Sequence, residues 1–474
     1  MSLSPSRQVF NSRSILNNLP STPSKSKSPP TSIGSFLKSN PKKNSGNNRI
    51  PSPPDLNDTN MNRSESIAYA SSNKVQCFRS SSPGFWATTA FLGFVFILSS
   101  NIMQPHSGGS HFGYLRSKNK YGVDHFGGAI HPGYFSVDKS VVSPGVFRFA
   151  AVTDMDQLSK VTDSKKPLFR SLLLPGILTR NEVSGMYSVE LEETRTLTSA
   201  HNEAGRGMEL SELTLYNDRL LAFDDRTGSV FEILSKNRGM DSYVVPRFVV
   251  TEGEGDTDKG MKWEWAAVKD NELYMGSMGK EYTNVDGSVA NTNNLWIAIL
   301  SPTGELRRED WTRQYNFVRA ALGASSPGYI ITEANLWSSH LKKWLFLPRR
   351  ISSDKYDENE DERKGSNRMV LVDEKFTQTT VLDIKMSVAD SLHGFSTVAF
   401  VPGTKDRHAV AIRSVEEDCV GGEEDICKQR SYMIVFETLT GNILMDETRI
   451  DSKPGVKYEG LEFVDIYTSE PTFT

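Results

Sequence analysis

The sequence predicts an all-β fold, a β-propeller of about five blades, and three observations carry that prediction. From Phe147 onward, short apolar runs alternate with turn signals. Hairpin-like units recur at residues 215–233, 268–282, 336–348, 395–412 and 432–450, irregularly spaced, most of them by about 50–65 residues and the last two by less. No long 3.6-residue periodicity interrupts them, apart from a short helix predicted at 311–322. Such spacing suits four-stranded blades with variable loops, because one blade cannot cover both faces of its sheet without neighbours. From the pattern alone, a pair of irregular β-sandwiches remains the alternative.

Ahead of this body the chain changes character. Residues 1–84 are rich in Ser, Pro, Asn and Lys and carry eleven Lys and Arg against three Asp and Glu. So little apolar surface cannot offset chain entropy, and a disordered basic tail is predicted. Its Asn57 and Asn62 sequons would go unused on the cytosolic side. Residues 85–103 are then uncharged and largely apolar. Nineteen residues at about 1.5 Å each span roughly 28 Å, close to a bilayer's hydrocarbon thickness, which predicts one transmembrane helix. It lies too far from the first residue for an ordinary cleaved signal, so a type II signal anchor is expected. Arg116, Lys118 and Lys120 after the span weigh against that orientation, and the long basic tail and acidic body weigh for it. Cys77 just before the span is a candidate for palmitoylation. Residues 104–145, rich in Gly, His and Ser, read as a flexible stem, and the spacing of His106, His111, His125 and His131 matches no closed metal site.

Charge and cysteine content narrow the function classes. Residues 104–474 carry forty-three basic against fifty-five acidic side chains, so the body is acidic and lacks the basic footprint of nucleic-acid binding. Three cysteines cannot make a disulfide scaffold, although Cys419 and Cys427 could close a small ring in an oxidising compartment. The chain has no G-x-x-x-x-G-K-[ST] loop, no G-x-S-x-G elbow and no H-E-x-x-H, which leaves covalent and zinc chemistry without support. The acidic run 357–362 lacks the glycine of a calcium loop and reads as a solvated loop.

What remains is carboxylates scattered at strand starts: Glu182, Glu209, Glu264, Glu333 and Glu459. In a propeller the innermost strands line one axis, so residues far apart in sequence can converge on one ion. Residues 205–228 show the pattern best. Two apolar runs flank an Asn217-Asp218 turn, Glu209 precedes the first, and Asp224-Asp225-Arg226 closes the second. Carboxylates suit a hard cation and Arg suits phosphate, so the stretch offers both halves of a metal–phosphate site.

The words GRGMELSEL (205–213) and LLAFDDRTG (220–228) resemble the calcium-activated nucleotidase, or apyrase, family. Further matches follow in order: Glu264-Trp265, Gly279-Lys280-Glu281, Tyr329 to Trp337, Phe346-Leu347-Pro348-Arg349-Arg350, Asp361-Glu362-Arg363-Lys364-Gly365 and Lys457-Tyr458-Glu459-Gly460. The resemblance covers about residues 147–463. It implies a five-bladed propeller, here residues 146–474, with one Ca2+ in the central channel. The ligands it implies are Asn181, Glu182, Glu209, Glu264, Ala334 and Glu459. Asn181 and Ala334 stand where the family has serine, and Ala334 offers only its carbonyl oxygen. Arg226, Lys280, Arg349 and Arg350 are the cations expected to hold substrate phosphates, and Asp154, Asp156, Asp224 and Asp225 the candidates to orient the attacking water. The resemblance implies hydrolysis of nucleoside diphosphates, UDP and GDP preferred, and of triphosphates, in the lumen of the Golgi or endoplasmic reticulum, as an anchored, shed or secreted protein that supports glycosylation. A homodimer is admitted. Competing readings are a type II glycosyltransferase using Asp154-x-Asp156, and a non-catalytic propeller that binds partners.

Overall fold

The computed structural model describes residues 135–236, 241–388, 390–417, 428–451 and 455–467. Five antiparallel sheets follow one another round a central axis. Blade two holds Leu210–Tyr216, Arg219–Asp224, Ser229–Lys236 and Asp241–Val249. Blade three holds Trp265–Lys269, Glu272–Gly276, Trp296–Leu300 and Leu306–Asp310. Blade four is Tyr329–Ser338, Lys343–Ser352, Arg368–Asp373 and Thr379–Asp383, and blade five is Gly394–Phe400, His408–Glu417, Lys428–Glu437 and Ile443–Arg449.

Blade one closes the ring. Its inner strand, Lys457–Glu462, comes from the far end of the chain and pairs with Val146–Asp154, which in turn pairs with Phe169–Arg180. Unit 432–450, predicted to be separate, is therefore the outer half of the sheet that begins at 394, and it is blade one that is assembled from the two ends of the body. The expected helix is present at Thr312–Ala321. Folding starts before residue 146, with Val141–Ser143 paired onto blade one.

Strand alternation explains how each blade is held on both sides. Leu220 and Ala222 pack toward blade one, while Leu221 and Phe223 pack toward blade three. Likewise Trp344 and Phe346 face blade three, and Leu345 and Leu347 face blade five. Successive side chains of a strand point to opposite faces. Five apolar clusters result, one in each gap between blades, and the gap between five and one is filled by residues such as Phe147, Phe149, Ile412 and Phe463.

The two rims differ sharply. On one, strands turn tightly, as at Asn217-Asp218 and Asp270-Asn271, where all four residues take positive φ between 50° and 65°. The opposite rim carries long segments, 155–168, 200–209, 250–264, 277–295, 311–328 and 353–367. Long loops gathered on one face of a rigid scaffold mark its working face. Among the described residues no helix is long and apolar enough to cross a membrane. The predicted span at 85–103, the tail, the stem histidines, Cys77, Cys419 and Cys427 lie outside the described residues.

Candidate active site

All inner strands run away from the loop-rich rim, and four of them carry a β-bulge near that end. The bulges skip Ser211, Glu333, Ser396 and Glu459. A bulged residue leaves the ladder and its side chain is re-aimed. Here all four turn to the axis. Ser211 Oγ donates to Glu459 Oε2 at 3.1 Å, and Arg349 Nη1 donates to Glu333 at 2.5 Å, Glu459 at 2.8 Å and Ser396 Oγ at 3.4 Å. Glu264 and Glu209 stand just before the inner strands of blades three and two, both almost fully buried.

Around this axis eight carboxylates meet four cations. Lys457 Nζ reaches Asp154 (2.9 Å), Asp156 (3.6 Å), Glu416 (2.5 Å) and Glu459 (3.3 Å). Arg206 clamps Glu209 through two bonds of 2.6 and 2.9 Å and reaches Asp156 at 3.3 Å. Lys262 bridges Asp225 and Glu264, the latter at 2.6 Å, and Arg349 also pairs with Glu416 at 2.9 Å. With every group ionised the cluster carries four excess negative charges, and burying uncompensated charge is costly.

Protonation responds to that imbalance. Burial, then Asp154, pushes Asp156 up to about 7, and burial, then Asp225, pushes Glu209 up to about 9 against Arg206. Burial likewise raises Glu459 to about 8 and Glu264 well above the carboxylate range. Burial alone would raise Asp154 too, but Lys457 and the Asp156 N–H hold it below its ordinary value. Two neighbouring carboxylates are thus driven apart.

A divalent cation fits this site on two further counts. Carboxylate oxygens of Asp154, Asp156 and Glu209 all lie within 4.8 Å of one another. Asp225 Oδ1 is shielded from solvent and has no hydrogen-bond partner among the described residues. Hard cations such as calcium take several such oxygens at once.

The structure sorts the residues expected from sequence. Glu209, Glu264, Glu459, Asp154, Asp156 and Asp225 converge. Asn181 and Glu182 do not: they lie in the exposed turn after Phe169–Arg180, on the tight-turn rim, where Asn181 Oδ1 accepts from Val183 and Ser184 N–H. The strand runs eight residues from Leu173, opposite Val152, to that turn, about 26 Å from the cluster. Ala334 packs its methyl between blades four and five, and its neighbour Glu333 faces the axis instead. Asp224 is fully buried and accepts from the N–H groups of Met208, Arg226 and Thr227, which closes the turn.

Among the expected cations, Arg349 is 4% exposed and committed to three glutamates. Arg350 is equally buried and donates to the Leu392 carbonyl at 3.3 Å, with Asp361 at 3.8 Å. Arg226 keeps a shielded Nε without a hydrogen-bond partner among the described residues. Lys280 lies 3.9 Å over the Tyr356 ring, with Glu281 O and Thr283 Oγ1 as its hydrogen-bond acceptors among the described residues, and burial brings it down to about 8. Asp361, from the acidic run, donates nothing to a metal loop; it accepts from Tyr329 Oη at 2.5 Å. Sequence reading overlooked Arg206, Lys262, Lys457 and Glu416, although Lys457 opens a matched word and Arg206 sits inside one.

Fold and site together define a β-propeller whose acidic axial mouth suits a divalent cation and a phosphate-bearing ligand. The family model described as Apyrase matches residues 155–464. The Soluble calcium-activated nucleotidase 1 of Rattus norvegicus is 40% identical over 319 residues, 67% of this chain and 74% of that one. Apyrase apy-1 of Caenorhabditis elegans is 36% identical over 335 residues, 70% of this chain and 88% of that one. The Apyrase of Cimex lectularius is 34% identical over 320 residues, 67% and 82% of the two chains. The chain belongs to the apyrase family and is a nucleoside phosphate hydrolase by class.

Proposed function

We propose that the protein hydrolyses nucleoside diphosphates, UDP and GDP ahead of other diphosphates, and also triphosphates, in a calcium-dependent reaction in the lumen of the secretory pathway. The observation that carries the reading is the excess of buried carboxylates over cations at the loop-rich mouth. Asp154, Asp156, Glu209, Asp225, Glu264 and Glu459 would hold the ion. Bound there, calcium supplies charge neutralisation to phosphate oxygens, the main requirement of phosphoryl transfer. Asp156, the most exposed of these six carboxylates, would orient the attacking water beside the ion. Gln429 Nε2 fixes its Oδ2 at 2.9 Å and Arg206 its Oδ1, which aims the carboxylate. Arg226 and Lys280 are the cations left for the phosphates. The antiparallel propeller lacks the βα alternation of a nucleotide-sugar transferase, so Asp154-x-Asp156 serves hydrolysis here.

The test is phosphate release by the full chain from UDP, GDP, ADP and ATP, each with calcium, magnesium or chelator. Release from UDP and GDP that needs calcium is expected. A binding-only propeller would release none, and equal rates in chelator would remove the metal from the reaction. A type II anchor in the secretory pathway predicts that protease added to intact microsomes trims only the basic tail.

A further inference from the structure

The loop that carries Lys280 is pinned almost residue by residue. Ser277 O accepts from Trp265 Nε1 at 3.0 Å and from Tyr315 Oη at 3.4 Å, and Met278 O accepts from the Thr332 N–H at 2.9 Å. Gly279 O then accepts from Arg319 Nη2 at 2.8 Å. The same guanidinium closes on the Glu281 carboxylate through two further bonds, each of 2.8 Å. Tyr315 and Arg319 stand four residues apart in the helix Thr312–Ala321, so they share one face of it, and both are buried. Gly279 takes a positive φ of 69°, and a Cβ there would meet the Tyr315 ring at 2.6 Å. Only glycine lets the backbone lie this close to the helix.

Lys280 stands between the two residues that Arg319 holds. Its ammonium lies over the Tyr356 ring and, among the described residues, makes no ion pair. The adjacent carboxylate, Glu281, is committed to Arg319. A bidentate guanidinium–carboxylate pair fixes geometry as well as charge. Were Glu281 free, its carboxylate would pair with Lys280 or repel an incoming phosphate.

We propose that Arg319 is a positioning residue for the hydrolase: by gripping Gly279 and Glu281 on either side of Lys280, it aims an ammonium with no carboxylate of its own at the substrate phosphates. The inference rests on the nucleotide-hydrolase reading above, with Lys280 as one of its phosphate cations. Arg319 is 2% exposed, and its role runs through Lys280. Burial first, and Arg319 after it, hold Lys280 down, while Asp361 and Glu281 work the other way. Arg350 faces Asp361 at 3.8 Å, and burial pushes the Tyr356 and Tyr329 phenols up, so neither ionises near Lys280's range.

The probe is UDP with a methylene bridge between its phosphates, which binds without being split, measured at equilibrium with the full chain in calcium. Arg319→Lys keeps the charge but cannot hold Gly279 and both Glu281 oxygens at once, and should weaken the probe about tenfold, as when a charge-assisted bond is lost. In a Lys280→Met background the same change should add little, because residues acting as a unit are not additive. Arg319→Met also removes the charge and frees Glu281, so the alkaline fall in affinity that Lys280 causes should move upward from about pH 8. Where Arg319→Met does not fold, the cycle with Arg319→Lys decides. Wild-type affinity in Arg319→Lys, or equal weakening in both backgrounds, would overturn the proposal. Should wild type release no phosphate from UDP or GDP, the hydrolase reading fails by that assay, while the binding cycle still decides Arg319.

Discussion

Arg349 separates two accounts of the axis, and replacing it by Met is the sharpest perturbation available. Its guanidinium sits between Glu333 at 2.5 Å, Glu459 at 2.8 Å and Glu416 at 2.9 Å, and is 4% exposed. Removing the cation leaves three carboxylates in a buried cluster that already carries excess negative charge. Breaking a buried ion pair from one side costs about 3–5 kcal/mol, because the remaining charge is left uncompensated. For a domain of this size one kcal/mol corresponds to about 2 °C, so the melting temperature in chelator should fall by about 6–10 °C.

Calcium should narrow that gap, since a cation held by Glu459 and its neighbours offsets the charge that Arg349 no longer does. A second replacement, Glu333→Gln in the Arg349→Met background, should recover part of the loss, as groups sharing one network are not additive. The assay is thermal unfolding of wild type and variants, with calcium and with chelator, alongside phosphate release. The expectation from sequence was different: Arg349 as a cation that grips substrate. If Arg349→Met melts like wild type in chelator and only its KM for UDP rises, the sequence expectation stands and the ion-pair account is refuted.

Three further outcomes follow from other residues. Glu209→Gln and Glu264→Gln each remove one charged oxygen from the metal site, and should raise the calcium needed for half-maximal hydrolysis at least about tenfold, some 1.4 kcal/mol, read from calcium titrations of phosphate release. Lys280, brought down to about 8 by burial, loses its charge as pH rises through that value, so KM for UDP should climb above about pH 8. In Lys280→Arg, whose guanidinium stays charged, that alkaline rise should vanish; a limb that persists would exclude Lys280 as its source. Far from the mouth, Glu232 sits between Arg219 at 2.6 Å and Arg247, all three buried, and Glu232→Gln should cost about 3 kcal/mol of stability by denaturant unfolding without changing the calcium requirement.

Local features were legible where one residue type permits only one geometry. The Asn217-Asp218 turn and the apolar runs beside it gave the blade-two hairpin, and the turn residues do take positive φ. Blade count was legible, but blade membership was not, because closure pairs Lys457–Glu462 with Val146–Asp154 across the whole domain, and no periodicity reports such a contact. Asn181 and Glu182 failed for a related reason. Each strand carries the chain from one rim to the other, so a carboxylate at a strand's end belongs to the mouth only on alternate strands, and Phe169–Arg180 ends at the wrong rim.

The axis itself turned on bulges. In a regular strand, Glu333 and Ala334 would face opposite ways with no means of telling which one meets the axis, and a one-residue slip exchanges them. The shifts around Thr332 settle the question in favour of Glu333, and equivalent slips bring Ser211, Ser396 and Glu459 inward. Once Glu333 and Glu459 face each other across a narrow axis, a cation between them is required, and Arg349 from the neighbouring strand meets that need. Arg349 therefore shares a word with the residues that resemble phosphate-binding cations, yet its position follows from two bulged glutamates. Arg226 and Lys280 differ: they stand in loops of the mouth, between strands, and among the described residues neither makes an ion pair.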